Sequence, residues 1–179
     1  MMFDSIFADG ELREFIEGNL KDPWEDTPFK GYVFKSPKDK GEFGERFVSK
    51  WMNRAGHKVE RAKTSTAGHD RVIDGILTEI KFSLATRDRK GGTYKDKFIM
   101  NHVSVCKDWE RLIFCGINEQ EDDLRIVWFS KEDFANYMKS EDCIFKPQQA
   151  GKGGGNDDYI CTNIPKLIEL DFVKDIKEW

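Results

Sequence analysis

No apolar run in this 179-residue chain approaches the length needed to cross a bilayer, which sets aside a helical membrane protein. The segment Met-Met-Phe-Asp-Ser-Ile-Phe has no basic stretch ahead of an apolar one, so no secretory leader is expected. Cysteine is sparse: Cys106, Cys115, Cys143 and Cys161. None forms a C-x-x-C pair, which argues against a zinc site. Cys115 lies in an apolar run and reads as a buried thiol, and a reduced, cytoplasmic protein is the simplest account. The run Gly151-Lys-Gly-Gly-Gly155 lacks the spacing of a nucleotide-binding P-loop, and no Ser or Thr follows its lysine. There is no internal repeat. Nor is there an excess of positive charge: the net charge of −4 does not advertise nucleic-acid binding.

What is present is enough for a core. Hydrophobic residues make up 39% of the chain and aromatics 13%, at a length that suits one domain. The charge is unevenly spread. Residues 35–63 hold nine Lys/Arg against four Asp/Glu, and residues 81–97 hold six against two. Acidic residues gather at both ends and in 119–142. The basic stretches can form a local positive surface against phosphates while the rest stays acidic, or they can be ordinary solvated surface.

Residues 70–81, Asp-Arg-Val-Ile-Asp-Gly-Ile-Leu-Thr-Glu-Ile-Lys, carry the most information. Asp74-Gly75 between two apolar pairs predicts a hairpin, because primed turns need positive φ at both central residues. Side chains alternate across a strand, so Glu79 and Lys81 share a face and Ile80 takes the other. Asp70, at the start of the partner strand, returns beside them. Two carboxylates and a lysine at one end of a small sheet suit a hard divalent cation that keeps several waters, and metal-assisted phosphodiester hydrolysis. In a chain that is 35% charged the same triplet also arises as a solvated hairpin face.

Upstream, Phe43, Phe47, Val48 and Trp51 form one stripe at helical spacing over residues 41–52. Glu42 and Glu45 lie in its first turns and Gly56 is a stop signal. Downstream, 111–117 and 124–129 read as buried strands. Ser130-Lys-Glu-Asp133 resembles a capping box for a helix through Met138.

In this order of parts the chain resembles the PD-(D/E)XK nuclease superfamily, the restriction-endonuclease-like fold. The matching pieces are Gly41-Glu-Phe-Gly-Glu45, the Asp70 strand, the Asp74-Gly75 turn, Glu79-Ile-Lys81-Phe-Ser83 and the later strands and helix, over roughly residues 41–139. His69 stands where the family name has proline. The resemblance implies an α/β fold with a mixed central β-sheet flanked by helices. It implies metal ligation by Asp70, Glu79 and the Ile80 carbonyl, with Lys81 as the catalytic lysine and Glu45 as an acid on the first helix near the metal. Asp74, in the turn, is at the far end of the hairpin and is not assigned. Magnesium is the implied ion, with manganese able to substitute, and cleavage leaves a 5′-phosphate and a 3′-hydroxyl.

The remaining segments set further expectations. Residues 10–20 suggest a helix with Leu12, Phe15, Ile16 and Leu20 on one side and Asp9 as cap. Residues 22–40 read as an irregular connection or arm, and 98–108 as helix or strand. A helix is expected from Pro165, with Leu167, Ile168, Phe172 and Ile176 inward. This divides residues 1–179, taken as a single nuclease domain, into a core at about 41–139, an N-terminal helix or arm (1–40), and a Gly-rich loop with a C-terminal helix (146–179). DNA contacts are expected from Arg87, Arg89, Lys90 and Lys95 in a basic loop, from Asn101, and from Gln148, Gln149 and Lys152. Within the superfamily the compact size points to a type II restriction endonuclease acting on duplex DNA as a homodimer, whose two-fold symmetry supplies one site per strand. A repair or recombination nuclease of the same fold, or a non-cleaving DNA-binding module, are the alternatives.

Overall fold

The structure, a computed structural model, describes residues 10–64, 67–87, 92–119, 123–148 and 157–179. Its helices are α1 (Glu11–Asn19), α2 (Pro37–Arg54), α3 (Lys131–Tyr137) and α4 (Ile164–Ile168). Its strands are β1 (Val59–Arg61), β2 (Arg71–Ile73), β3 (Ile76–Leu84), β4 (Met100–Val103), β5 (Arg111–Ile117), β6 (Leu124–Ser130), β7 (Lys146–Pro147), β8 (Tyr159–Cys161) and β9 (Lys174–Asp175). Among the described residues, the main sheet runs β1-β2-β3-β5-β6-β9 and a smaller one runs β4-β8-β7. Only the β3–β5 pair is parallel in the main sheet. The fold is therefore α/β, with a mixed central sheet flanked by helices.

The hairpin forms where the Asp-Gly signal puts it. Asp74 (φ 52°) and Gly75 (φ 86°) both take positive φ, and Ile73 pairs with Ile76. Asp74 is committed to this turn: one oxygen accepts the Lys58 N–H at 2.8 Å and the other meets His57 Nδ1 at 2.7 Å.

Paired residues in adjacent strands share a face. Ile80, Ile113 and Trp128 therefore lie on one side, and Glu79, Leu112 and Phe129 on the other. Helix α2 covers the first face through Gly44, Val48 and Met52. Gly44 permits its approach: a Cβ there would stand 2.3 Å from Phe82 Cβ. The helix begins at Pro37, earlier than the expected 41. Ser36 Oγ accepts the Asp39 N–H, and proline tolerates the first turn, where its missing N–H has no partner to lose. The second face is filled by rings: Phe129 and Phe134 lie 5.8 Å apart, and Phe134 and Phe145 4.9 Å apart.

Other expectations change. The segment before α2 is packed down: Trp24 is buried, and Tyr32 meets Phe43 edge-on at 5.4 Å. Asp22 closes it by accepting the Gly31 N–H at 2.6 Å. Helix α1 forms, but Ile16 and Leu20 are 50% and 61% exposed and stand outside the core, because α2 already covers the sheet face. Its N-cap is Gly10, and Asp9 lies outside the described residues. The ambiguous 98–108 segment contains strand β4. The long C-terminal helix does not form. Helix α4 stops at Ile168, and the chain extends as β9 to pair Lys174 with Trp128, covering the open edge of β6. Leu167 and Ile176 are nonetheless buried as expected.

Candidate active site

Strand β2 is short and pairs with β3 only as far as Thr78. Beyond Thr78 that edge of β3 is open to Asp70, just ahead of β2. Asp70 donates its N–H to the Thr78 carbonyl at 3.0 Å and accepts the Ile80 N–H on Oδ2 at 2.8 Å. A strand residue's N–H and C=O project to the same edge, so the Ile80 carbonyl leaves the sheet on the Asp70 side. Glu79 and Lys81 share a face, and Lys81 Nζ lies 2.8 Å from Glu79 Oε1. Asp70, Glu79, Ile80 and Lys81 thus come together as the hairpin register requires.

They lie at a cleft of about 710 Å³, which Glu45 also lines. Glu79 is only 4% exposed. Burial, then the neighbouring Glu79 and Glu45 charges, push the Asp70 carboxyl up to about 6, against the opposing Ile80 hydrogen bond and Lys81. Asp70 is a carboxylate crowded by like charge, a condition that a bound cation relieves. Two carboxylates and a backbone carbonyl are the hard oxygen donors that magnesium or calcium takes. Among the described residues no three His, Cys, Asp or Glu side chains gather as a ready cage. Any such ion would complete its shell with water.

Two further charged residues at this site were not among the expected ones. Arg71, next to Asp70 but on the α2 face, is buried. It donates to Glu45 Oε2 at 2.8 Å, Ser49 Oγ at 3.0 Å and the Asp70 carbonyl at 2.7 Å. It ties the helix acid to the backbone of the strand acid. Lys107, ahead of β5, places Nζ 3.3 Å from the Glu79 oxygen that Lys81 also meets. A basic residue next to Asp70 was a weak pointer to the first; the second depends on a crossover that no pattern reveals.

The expected DNA-contact residues divide. Arg87 and Asn101 line the cleft. Lys95 does not; its Nζ lies 3.4 Å from Asp123. Gln148 is held within the small sheet, its Oε1 accepting the His102 N–H at 3.1 Å. His102 is exposed and its Nδ1 lies 2.9 Å from Asp158 Oδ2. Arg89, Lys90, Gln149 and Lys152 lie outside the described residues.

No family model and no curated protein matches the chain. Among solved structures, it is similar to the bacterial homing endonuclease I-Ssp6803I, at 15% identity over 66% of this chain and 86% of that one, with a TM-score of 0.42.

Proposed function

We propose that the protein is a magnesium-dependent DNA endonuclease of the PD-(D/E)XK kind. The observation that carries this reading is the convergence of Asp70, Glu79 and Lys81 on one face of the hairpin, lining a cleft of about 710 Å³. Asp70, Glu79 and the Ile80 carbonyl would hold the ion. When bound, it supplies a polarised water at neutral pH and charge stabilisation for the phosphate. The chain's own groups do the rest. Lys81, held by Glu79 as an ammonium, orients the attacking water, whose proton passes to solvent. Water oxygen bonds to phosphorus, the bond from phosphorus to the 3′-oxygen breaks, and that oxygen gains a proton from solvent, leaving a 5′-phosphate and a 3′-hydroxyl. Glu45, steadied by Arg71, adds negative charge beside Asp70. Arg87 and Asn101 at the cleft meet the DNA backbone and base edges.

Within this reading, we favour a type II restriction endonuclease that cuts duplex DNA as a homodimer, with manganese able to replace magnesium. A repair or recombination nuclease of the same fold is the second reading.

The test is a plasmid digest in magnesium. Discrete fragments support restriction, and cleavage confined to junctions or mismatches supports repair. Asp70→Ala and Glu79→Ala should each abolish cutting while DNA binding in calcium survives. Asp74→Asn keeps the turn and should cut normally. Near wild-type cleavage by either alanine variant would overturn the assignment.

A further inference from the structure

We propose that Lys107 is a second lysine of this active site, whose ammonium contacts the scissile phosphodiester of bound DNA; this rests on the nuclease reading above. Glu79 Oε1 carries two ammonium groups, Lys81 at 2.8 Å and Lys107 at 3.3 Å. One lysine suffices to balance one carboxylate, and two cations on the same oxygen repel each other. They also differ in exposure: the Lys81 side chain is 15% exposed and that of Lys107 is 44%. Lys81 is enclosed in the site, whereas Lys107 reaches it from the cleft side on a flexible four-carbon stem.

Lys107 is not needed to fasten its own loop, which is pinned on every side by other groups. The Asp157 carboxylate accepts the Val105 N–H at 2.9 Å, the Cys106 N–H at 2.7 Å and the Ser104 hydroxyl. Trp109 Nε1 donates to the Ser104 carbonyl at 2.7 Å, and His69 Nδ1 to the Asp108 carbonyl at 3.0 Å. The Glu110 N–H bonds the Leu77 carbonyl at 2.8 Å. Gly68 lies so close that a Cβ there would be 2.2 Å from Asp108 N. Lys131 Nζ even takes the Lys107 carbonyl at 2.6 Å. A loop fixed this firmly presents its one cleft-facing cation at a defined place. That is the preorganisation that charge stabilisation in a transition state requires.

The charge balance points the same way. In the free protein Lys81 and Lys107 share the one charge of Glu79. A divalent cation held by Asp70 and Glu79 would leave the Lys107 ammonium in surplus at the cleft. An anionic phosphodiester is then its counter-charge. A lysine serving only to hold Glu79 would have no such use.

The experiment compares the full-length wild-type protein with Lys107→Ala and Lys107→Arg. Single-turnover plasmid cleavage is measured across a magnesium titration. Binding of a DNA duplex in calcium is measured across salt concentrations, and melting temperature is recorded alongside. Lys107→Ala should lower the plateau cleavage rate by about 10²-fold, the usual loss for one preorganised donor. Its magnesium midpoint should not rise. Its binding should lose about 0.9 from the slope of log affinity against log salt, the signature of one phosphate contact. Lys107→Arg should restore the slope and part of the rate. A wild-type plateau in Lys107→Ala would overturn the proposal. So would a shift in magnesium midpoint with no change in plateau, or equal losses in both variants accompanied by lower melting temperatures, since these mark a tie for Glu79 or for the loop. If wild type itself cuts no DNA in magnesium or manganese, the nuclease reading fails and takes this proposal with it. If wild type cuts and Lys107→Ala cuts equally well, only this proposal fails.

Discussion

Asp70 grips Ile80 through the backbone: its Oδ2 accepts the Ile80 N–H at 2.8 Å, across the stretch of β3 that β2 is too short to cover. The bond fixes the carboxylate and satisfies a donor on an otherwise open strand edge. It also holds Asp70 beside Glu79 and Glu45, two charges that disfavour its ionised form.

That tension has a measurable consequence for stability. The Asp70 carboxyl is pushed from the ordinary 3.8 to about 6 on folding. A raised value means that its contribution to stability is complete below about pH 4 and is lost as pH rises through about 6. Asp70→Asn keeps an oxygen to accept the Ile80 N–H and removes the charge. In EDTA at pH 8 it should be more stable than wild type by about 1–2 kcal/mol, or about 2–8 °C in melting temperature. The gap should close toward pH 4. Coincident melting curves at pH 8 would show that Asp70 carries no such strain.

Lys81 acts on water and phosphate that are present only in the loaded complex. Lys81→Ala should lower single-turnover cleavage by about 10²–10⁴-fold and leave DNA affinity in calcium nearly unchanged. Lys81→Arg should rescue little, because a guanidinium is bulkier and presents a planar fork in place of a compact ammonium. Normal cutting by Lys81→Ala would remove the lysine from the chemistry.

Gly44 sets the distance between α2 and β3. A methyl group there would stand 2.3 Å from Phe82 Cβ and 2.8 Å from Phe82 Cγ. Gly44→Ala must lift the helix and with it Glu45, at a cost of about 1–3 kcal/mol for overpacking. Adding Phe82→Gly, which removes both atoms, should make the combined loss smaller than the sum of the two single losses. Denaturant midpoints of the two single variants and the double variant measure this, and simple additivity would count against the contact.

Arg87 lines the cleft, and Arg89 and Lys90 follow it in sequence. Replacing all three with Ala should weaken duplex binding and flatten its salt dependence, because fewer counterions are released per complex. An unchanged salt slope would put this segment away from DNA.

What could be read in the sequence was what is local. The Asp74-Gly75 turn and strand alternation suffice to bring Asp70, Glu79 and Lys81 together, whereas helical spacing found only Val48 of the buried face of α2: Gly44 and Met52 are the other buried positions, Phe47 and Trp51 are half-buried, and Phe43 is exposed. The ends of elements were harder. The Ser36 cap and Pro37 start α2 earlier than its apolar stripe, and the open edge of β6 draws residues 174–175 out of a helical pattern. Lys107 was hidden for a different reason. It is 28 residues from Glu79 in sequence, and only the parallel pairing of β3 with β5 brings it back.

The same topology sets a timetable for the site. The hairpin that joins Asp70 to Glu79 closes a two-residue turn, and such units form in about 1–10 μs. The β3–β5 pairing closes over the crossover of residues 85–110, and contacts this distant in sequence are slow to form. The acidic pair is therefore expected to meet ahead of Lys107, whose approach to Glu79 requires the central sheet to pair across the crossover. The complete set of charged groups depends on a long-range pairing that the hairpin alone does not supply.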